Sequence, residues 1–424
     1  MRGLLAWGAY VPYARLDRKA IAAALGASAG SGTRAVASYD EDSTSMGVEA
    51  ARAALRATPV TPEAIYFATA DPAYLDKTNA TAVHAALDLP ASAAAYDMLG
   101  SVRSSAGATR AALDARGPAL AVVSDIRTGL AGGGDEREGG DAAAAFLLGD
   151  GDVVAEPLGH ASQSAEFLDR WRVPGESFSR QWEERFGEHV YVPLEKEAIA
   201  DDLVASVGNA GAAHAGVMLA AALDAARPDQ VIAVLSLADG ADATIWRTTG
   251  AVTGRRPAPS VATQVARGAS VPYAAFLTWR GFLRREPPRR PDPQPPEAPA
   301  AARAESWKYA FTGSRCLACG TRHVPPQRVC VKCHAVDRMR PERLSDVPAT
   351  IATFTVDRLA YSMSPPVVVA VIDFEGGGRF QCEMTDVDPK SVKIGDRVEL
   401  TFRRLYTANG IHNYFWKARP SGGK

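Results

Sequence analysis

From Met1 to about Gly250, short apolar runs alternate with alanine-rich stretches in which apolar residues recur at helical spacing. The runs AIYFATAD (64–71), AAAYDML (93–99), ALAVVSD (119–125) and QVIAVLSLAD (230–239) are almost wholly apolar. They predict strands covered on both faces. Between them SMGVEAARAALRA, NATAVHAALDL, SSAGATRAALDAR and GAAHAGVMLAAALDAA predict helices, whose alanines allow close packing on a sheet. MRGLLAWGAYVPYARL predicts a first strand, and the whole stretch predicts an α/β architecture.

The pattern then changes twice. Residues 284–305 read RREPPRRPDPQPPEAPAAARAE, with seven prolines between Pro287 and Pro299. Each proline lacks an amide hydrogen and fixes φ, so this is expected to be a semi-rigid, solvated strap without helix or central strand. Just before it, VPYAAFLTWRGFLRRE predicts a helix anchored by Trp279 and Arg280. Beyond it, TIATFTV, PVVVAVIDF, RFQCEMT, RVELTFRRL and NYFWKA, separated by turn signals such as EGGG and KIGD, predict about five antiparallel strands. That count suits a small barrel such as the OB-fold.

At 424 residues the chain has room for two or three domains. Its 47 basic and 48 acidic residues give a net charge of −1, so neither nucleic acid nor an anionic membrane is an expected partner. No apolar run is long enough to span a membrane, and the N-terminus lacks the h-region of a signal peptide. A cytoplasmic protein is expected. All five cysteines lie after residue 315, which excludes a nucleophilic thiol from the large N-terminal region.

Four of them form two knuckles, Cys316-Leu-Ala-Cys319 and Cys330-Val-Lys-Cys333, ten residues apart. Two residues between thiols let a turn aim both sulfurs at one ion while its amides stabilise the thiolates. Four thiolates with no open position imply a structural, tetrahedral zinc; redox disulfides are the competing reading. His323 and His334 lie nearby without an evident ligand role. Cys382 sits in a strand-like run and is expected to be a buried small hydrophobe.

The zinc module followed by VPATIATFTVDRLAYSMSPPVVVAVIDFEGGGRFQCEMTDVDPKSVKIGDRVELTF resembles the DUF35-type zinc-ribbon/OB-fold proteins that work beside thiolase-superfamily enzymes. The larger region resembles the thiolase superfamily itself, nearest to HMG-CoA synthase and ketoacyl synthase III. The segments that carry this likeness are YDEDSTSMGVEAARAAL, DKTNATAVHAALDL, GDAAAAFLLGDGD and VGNAGAAHAGVMLAAALDAARPDQVIAVLSLADGAD, in that order. The implied fold is an α/β thiolase-like layered domain with a truncated second half over residues 1–268. A helix and proline-rich linker would follow over 269–305, a zinc ribbon over 306–341 and an OB-fold over 342–424.

Active members resemble one another in an acylated cysteine at a helix N-terminus, a histidine from the second half, and a glutamate base or an asparagine. The resemblance puts Ser104 at the cysteine position and Ala70 at the glutamate, with Asp71 beside it; the asparagine motif survives as Gly208-Asn209. The stretch that would carry the histidine is reduced to a few residues around LEKEA, leaving His189 and His214 as the nearby imidazoles. A serine without a base is unreactive at this task. Arg103 is a candidate for an acyl-CoA carboxylate or phosphate. Tyr74, Asp76 and Lys77 are weaker candidates by position, and the acidic GLAGGGDEREGGD (129–141) is expected to be a flexible loop rather than a phosphate cradle.

Two functions are therefore expected. One is carbon–carbon bond chemistry on an acyl-CoA without an acyl-cysteine, of the retro-aldol type. Its base would be Asp71, Ser104, His214 or a tyrosine, with Asn209 donating to the oxyanion and Arg103, Gly208 and His214 about the substrate. The other is a catalytically inactive acyl-CoA-binding or scaffolding protein. The ligand in either case is a CoA thioester; a homodimer through the thiolase-like domain and a thiolase or hydratase partner complete the expectation.

Overall fold

The computed structural model describes residues 1–26, 30–166, 168–182 and 201–421. His189 and the LEKEA stretch lie outside the described residues. The chain forms two compact units: Met1–Ser38, Asp42–Val83 and Leu89–Arg280 make the first, and Tyr39–Glu41, His84–Asp88 and Gly281–Lys424 the second.

In the first unit, β1 (Arg2–Tyr10) is followed by β2 (Ala14–Asp17), β3 (Thr33–Val36), β4 (Ala64–Thr69), β5 (Ala94–Leu99), β6 (Ala119–Ile126) and β7 (Asp141–Asp150). The second half contributes β8 (Ala155–Ser164), the short β9 (Arg170–Trp171) and β10 (Arg180–Gln181), then β11 (Val231–Leu237), β12 (Gly240–Thr248) and β13 (Ala269–Ser270). Eight strands form one sheet in the order β11-β12-β8-β1-β7-β6-β4-β5. The helix Ser43–Arg56 packs on it, its first turn closed by a capping box in which Asp42 accepts from the Ser45 amide at 2.9 Å. Gly47 lets this helix sit close, since a Cβ there would lie 3.1 Å from Phe67 and Val122.

The strand order contains a partial repeat. The helix Ser104–Asp114 leads into β6, which returns as antiparallel β7 beside β1; the helix His214–Ala225 leads into β11, which returns as antiparallel β12 beside β8. The first half continues outward from β6 with parallel β4 and β5. Among the described residues nothing pairs outside β11. This corrects the expectation that 230–239 is covered on both faces: β11 is an edge strand with Val231 55% and Leu235 43% exposed. An apolar run reports burial only when layers exist on both sides to provide it.

The segment 129–141 is also more ordered than its composition suggests. It contains the short helix Gly134–Glu138 and ends on buried Asp141, which accepts from the Ala37 amide at 2.6 Å and the Arg127 amide at 3.0 Å and pairs with Arg34 and Arg280. Arg280 ends the anchoring helix Tyr273–Trp279 and lies over the Phe276 ring.

In the second unit the strap carries a short helix that the proline count argued against, Ala298–Arg303. Pro299 sits in its first turn, where the missing amide would have no intrahelical partner. β14 (Thr312–Cys316), β15 (Arg322–His323) and β16 (Met339–Arg343) form the ribbon. β17 (Ala349–Asp357), β18 (Val367–Phe374), β19 (Arg379–Met384), β20 (Arg397–Ala408) and β21 (Ile411–Pro420) close a barrel in the order β17-β18-β19-β21-β20. The five expected strands are all present. Phe311 packs edge-on against Phe380 at 5.1 Å and Phe415 at 5.8 Å, filling the space near the barrel with aromatic surface. The same unit holds two buried ionic groups: Lys417 with Asp40 and Glu383 at 3.0 and 2.8 Å, and Arg403 with Glu41 and Asp386.

Candidate functional site

β5 ends at Gly100, whose φ of +111° turns the chain towards Ser104, the first residue of the helix Ser104–Asp114. Arg103 precedes it in helical conformation with no side-chain cap. Its guanidinium is held internally, donating to Asp242 at 2.8 Å, Ser164 at 2.9 Å, the Asp239 carbonyl at 2.8 Å, and Ser162 and the Gln163 carbonyl at 3.1 Å. All five donors of an arginine are thereby engaged. The Ser104 side chain makes no hydrogen bond among the described residues, whereas Ser105 Oγ donates to the Val102 carbonyl at 2.9 Å.

Asp71 leaves β4 and accepts from Arg172 at 2.9 Å, with the second arm of Arg172 on the Ala70 carbonyl. The protein packed about this carboxyl pushes its pKa up, and the Arg172 charge opposes that shift. Asn209 is exposed and fixed by its backbone, which bonds Glu138 and Gly140 at 2.7 and 2.9 Å; its Oδ1 accepts from the Gly211 amide at 2.9 Å. Among the described residues its NH₂ group makes no hydrogen bond, which leaves that half of the side chain open. Gly208 has a φ of +88°, and a Cβ there would stand 2.2 Å from the Gly139 carbonyl oxygen. His214 opens its helix and accepts from the Ala210 amide through Nδ1 at 3.4 Å. Burial lowers its pKa, which disfavours the charged ring.

Two cavities lie near the start of the helix Ser104–Asp114. One of about 500 Å³ is mainly apolar and is lined by Arg103, Ser105, Gly107, Phe146, Leu219 and Trp246. The other, of about 260 Å³, is lined by Ala70, Ser101, Arg127, Arg170, Arg172 and Asn209, among others. Arg103 and Asn209 thus face different cavities, and Ser104, Asp71 and His214 line neither. The three arginines of the smaller cavity carry no sequence signal of their own. Arg127 follows β6, while Arg170 and Arg172 come from the distant β9 region, and only folding brings them together.

In the ribbon, the Cys316 and Cys333 sulfurs lie 3.6 Å apart, those of Cys319 and Cys330 lie 3.5 Å apart, and all four lie within 4.8 Å of one another. A tetrahedron of sulfurs about 2.3 Å from zinc has edges of about 3.8 Å, so the donor set fits the ion. The Lys332 and Cys333 amides point at Cys330 Sγ at 3.4 and 3.5 Å, and the Thr321 hydroxyl beside Cys319 brings its pKa down to about 6. These contacts favour thiolates. Cys382 is buried in the barrel wall, and burial pushes its thiol up to about 12, as suits an inert packing group.

Two family models match the C-terminal region: the ChsH2 rubredoxin-like zinc ribbon domain over residues 308–337 and the ChsH2 C-terminal OB-fold domain over 342–403. A DUF35 domain-containing scaffold protein of Methanothermobacter thermautotrophicus is 30% identical over 118 residues, 27% of this chain and 88% of that protein. A hydroxymethylglutaryl-CoA synthase of Methanopyrus kandleri is 33% identical over 195 residues, covering 42% of this chain; the chain spans 55% of that enzyme's length. Among solved structures, MvaS in complex with 3-hydroxy-3-methylglutaryl coenzyme A superposes with a TM-score of 0.58 at 18% identity, over 69% of this chain and 94% of that one. That likeness establishes a shared fold.

Proposed function

Because the chain belongs, through its zinc ribbon and barrel, to the DUF35 family, and its N-terminal region has the HMG-CoA synthase fold, we propose that it handles CoA thioesters without forming an acyl-enzyme. Binding or scaffolding is the role favoured for the thiolase-like site. Ser104 carries this reading. It stands at the helix N-terminus where the resemblance puts the acylated cysteine, and its hydroxyl has no hydrogen-bond partner among the described residues. A serine nucleophile needs an adjacent base. Asp71 is held by Arg172, and His214 already accepts from a backbone amide.

Retro-aldol cleavage is the second reading. It is supported by Asn209, whose NH₂ group is open for a thioester oxygen, and by Asp71, whose raised pKa moves it towards the range of a general base. In this reading Asp71 leaves Arg172 when substrate binds, and Gly208 holds the turn that presents Asn209. A homodimer through the first unit and a thiolase or hydratase partner belong to both readings. Zinc, held by Cys316, Cys319, Cys330 and Cys333, has a structural role in both.

Intact-mass measurement after incubation with acetyl-CoA tests the first reading. Unmodified protein that nevertheless binds CoA in calorimetry is expected; an acyl adduct on Ser104 overturns it. Release of a carbonyl product from a 3-hydroxyacyl-CoA, lost in Asp71→Asn, would establish the second reading instead.

A further inference from the structure

Arg127 is 8% exposed and fixed at its backbone, where its amide donates to Asp141 at 3.0 Å and its carbonyl accepts from Arg34 at 2.7 Å. Its side chain runs through a slot made by two glycines. A Cβ at Gly211 would lie 2.5 Å from Arg127 Nε, and one at Gly139 would lie 2.8 Å from Arg127 Cβ. Among the described residues its guanidinium makes no hydrogen bond or ion pair. Asp125, the neighbouring carboxylate, offsets part of the Arg127 charge at a distance but makes its hydrogen bonds elsewhere, accepting from the Ala212 amide at 2.9 Å, the Ala70 amide at 3.2 Å and the Thr69 hydroxyl at 3.3 Å. A buried guanidinium whose N–H groups have no acceptor is costly even with a carboxylate charge nearby, and a structure that holds one in place at a cavity is poised for an anion.

The cavity around it supports the same conclusion. Arg170 and Arg172 share its lining, each oriented by its own carboxylate, Asp135 and Asp71 respectively. Asn209 contributes an open NH₂ group, and Ser101 and Gln181 add neutral polar groups. Asp135, Glu138, Asp169 and Asp239 also line the cavity and oppose an anion there, so the attraction has to come from Arg127, Arg170 and Arg172. At about 260 Å³ the space suits a small organic acid rather than a nucleotide.

We propose that this cavity binds a small carboxylate, with Arg127 as the residue that pairs with it. A guanidinium meets a carboxylate through two parallel N–H bonds, which supplies both affinity and orientation. If the CoA-thioester reading also holds, the ligand is an acyl-CoA whose acyl chain ends in a carboxylate. The carboxylate site itself does not depend on that reading.

Calorimetric titration of the full chain with glutarate tests it. Saturable binding is expected, weakened on the order of tenfold or more in Arg127→Met, the range for losing a hydrogen bond to a charged group. No saturable binding to the unmutated protein, or equal binding by Arg127→Met, overturns the proposal. Should Arg127→Met fail to fold, Arg127→Lys decides: weaker binding supports a paired guanidinium, and unchanged binding overturns it. Glutaryl-CoA and butyryl-CoA separate the two readings. The expected result is a preference for glutaryl-CoA that disappears in Arg127→Met. Glutarate binding without any CoA-thioester binding would leave the carboxylate site standing and remove the CoA reading.

Discussion

Arg103 Nε donates to Asp242 Oδ2 at 2.8 Å across 139 residues of sequence, tying the start of the helix Ser104–Asp114 to β12. Each side chain is only about a fifth exposed, so the pair is held mostly out of water. Arg103, one of the residues that sequence offers for substrate recognition, therefore braces the two halves of the first unit.

Arg103→Ala is expected to destabilise the protein by about 2 kcal/mol, because Asp242 loses a charged partner in a partly buried setting. Asp242→Asn should cost less, since the amide oxygen still accepts. A double-mutant cycle by denaturant unfolding measures the coupling, and additive effects would refute the brace.

Gly208→Ala is expected to destabilise by about 2 kcal/mol or more, because a left-handed φ and the Gly139 carbonyl both exclude a Cβ. Asn209→Ala leaves that backbone intact. Thermal unfolding should therefore separate them, with Asn209→Ala close to the unmutated protein and Gly208→Ala well below it.

Lys417→Met leaves Asp40 buried without its ammonium partner, and a loss of about 3–5 kcal/mol is expected. The Lys417 pKa rises above its ordinary value in the folded protein, the Asp40 and Glu383 charges outweighing the cost of burial. A raised lysine pKa gives stability that is complete below about pH 10.4, the unfolded value, and is lost as pH rises further. The difference in unfolding free energy between the two proteins should hold steady from pH 7 to 9 and narrow only above that.

Glu342 joins Arg315 and Arg322 in the ribbon sheet at 2.7 and 2.8 Å, and their hydrogen bonds bring its pKa down to about 2. A depressed carboxylate pKa gives stability that is present above the unfolded value and lost as pH falls towards 2. Glu342→Gln should lower the melting temperature at pH 7, with the gap shrinking below about pH 4.3.

Chelating the zinc is expected to unfold the ribbon, since site formation and folding are linked. Alkylation at pH 8 followed by mass spectrometry should then modify Cys316, Cys319, Cys330 and Cys333 while Cys382 stays protected. Modification of the ribbon cysteines at the same rate before and after chelation would argue against a metal.

The features most legible in the sequence are local. Two Cys-X-X-Cys knuckles place four sulfurs through the geometry of two turns, and period-two runs separated by glycine turns give the five barrel strands. The helix Ser104–Asp114 and the strands β4 to β6 follow equally from spacing within a dozen residues. Pro299 was misleading because a proline's effect depends on its place in a helix, which composition does not reveal.

The tertiary structure decided the rest. Whether β11 has one covered face or two depends on which layers lie beside it, and the run VIAVLSL is the same in either case. Arg103 became a brace once β8 and β12 supplied acceptors, and Ser104, Asp71 and Asn209 proved not to share one cavity. The Arg127 cavity has no motif at all. It arises where the end of β6, the β9 region and two glycines from separate segments meet, and a charge deprived of water there has its meaning set by those distant neighbours. Sequence spacing governs what a few bonds can reach, while burial and charge environment belong to the folded chain.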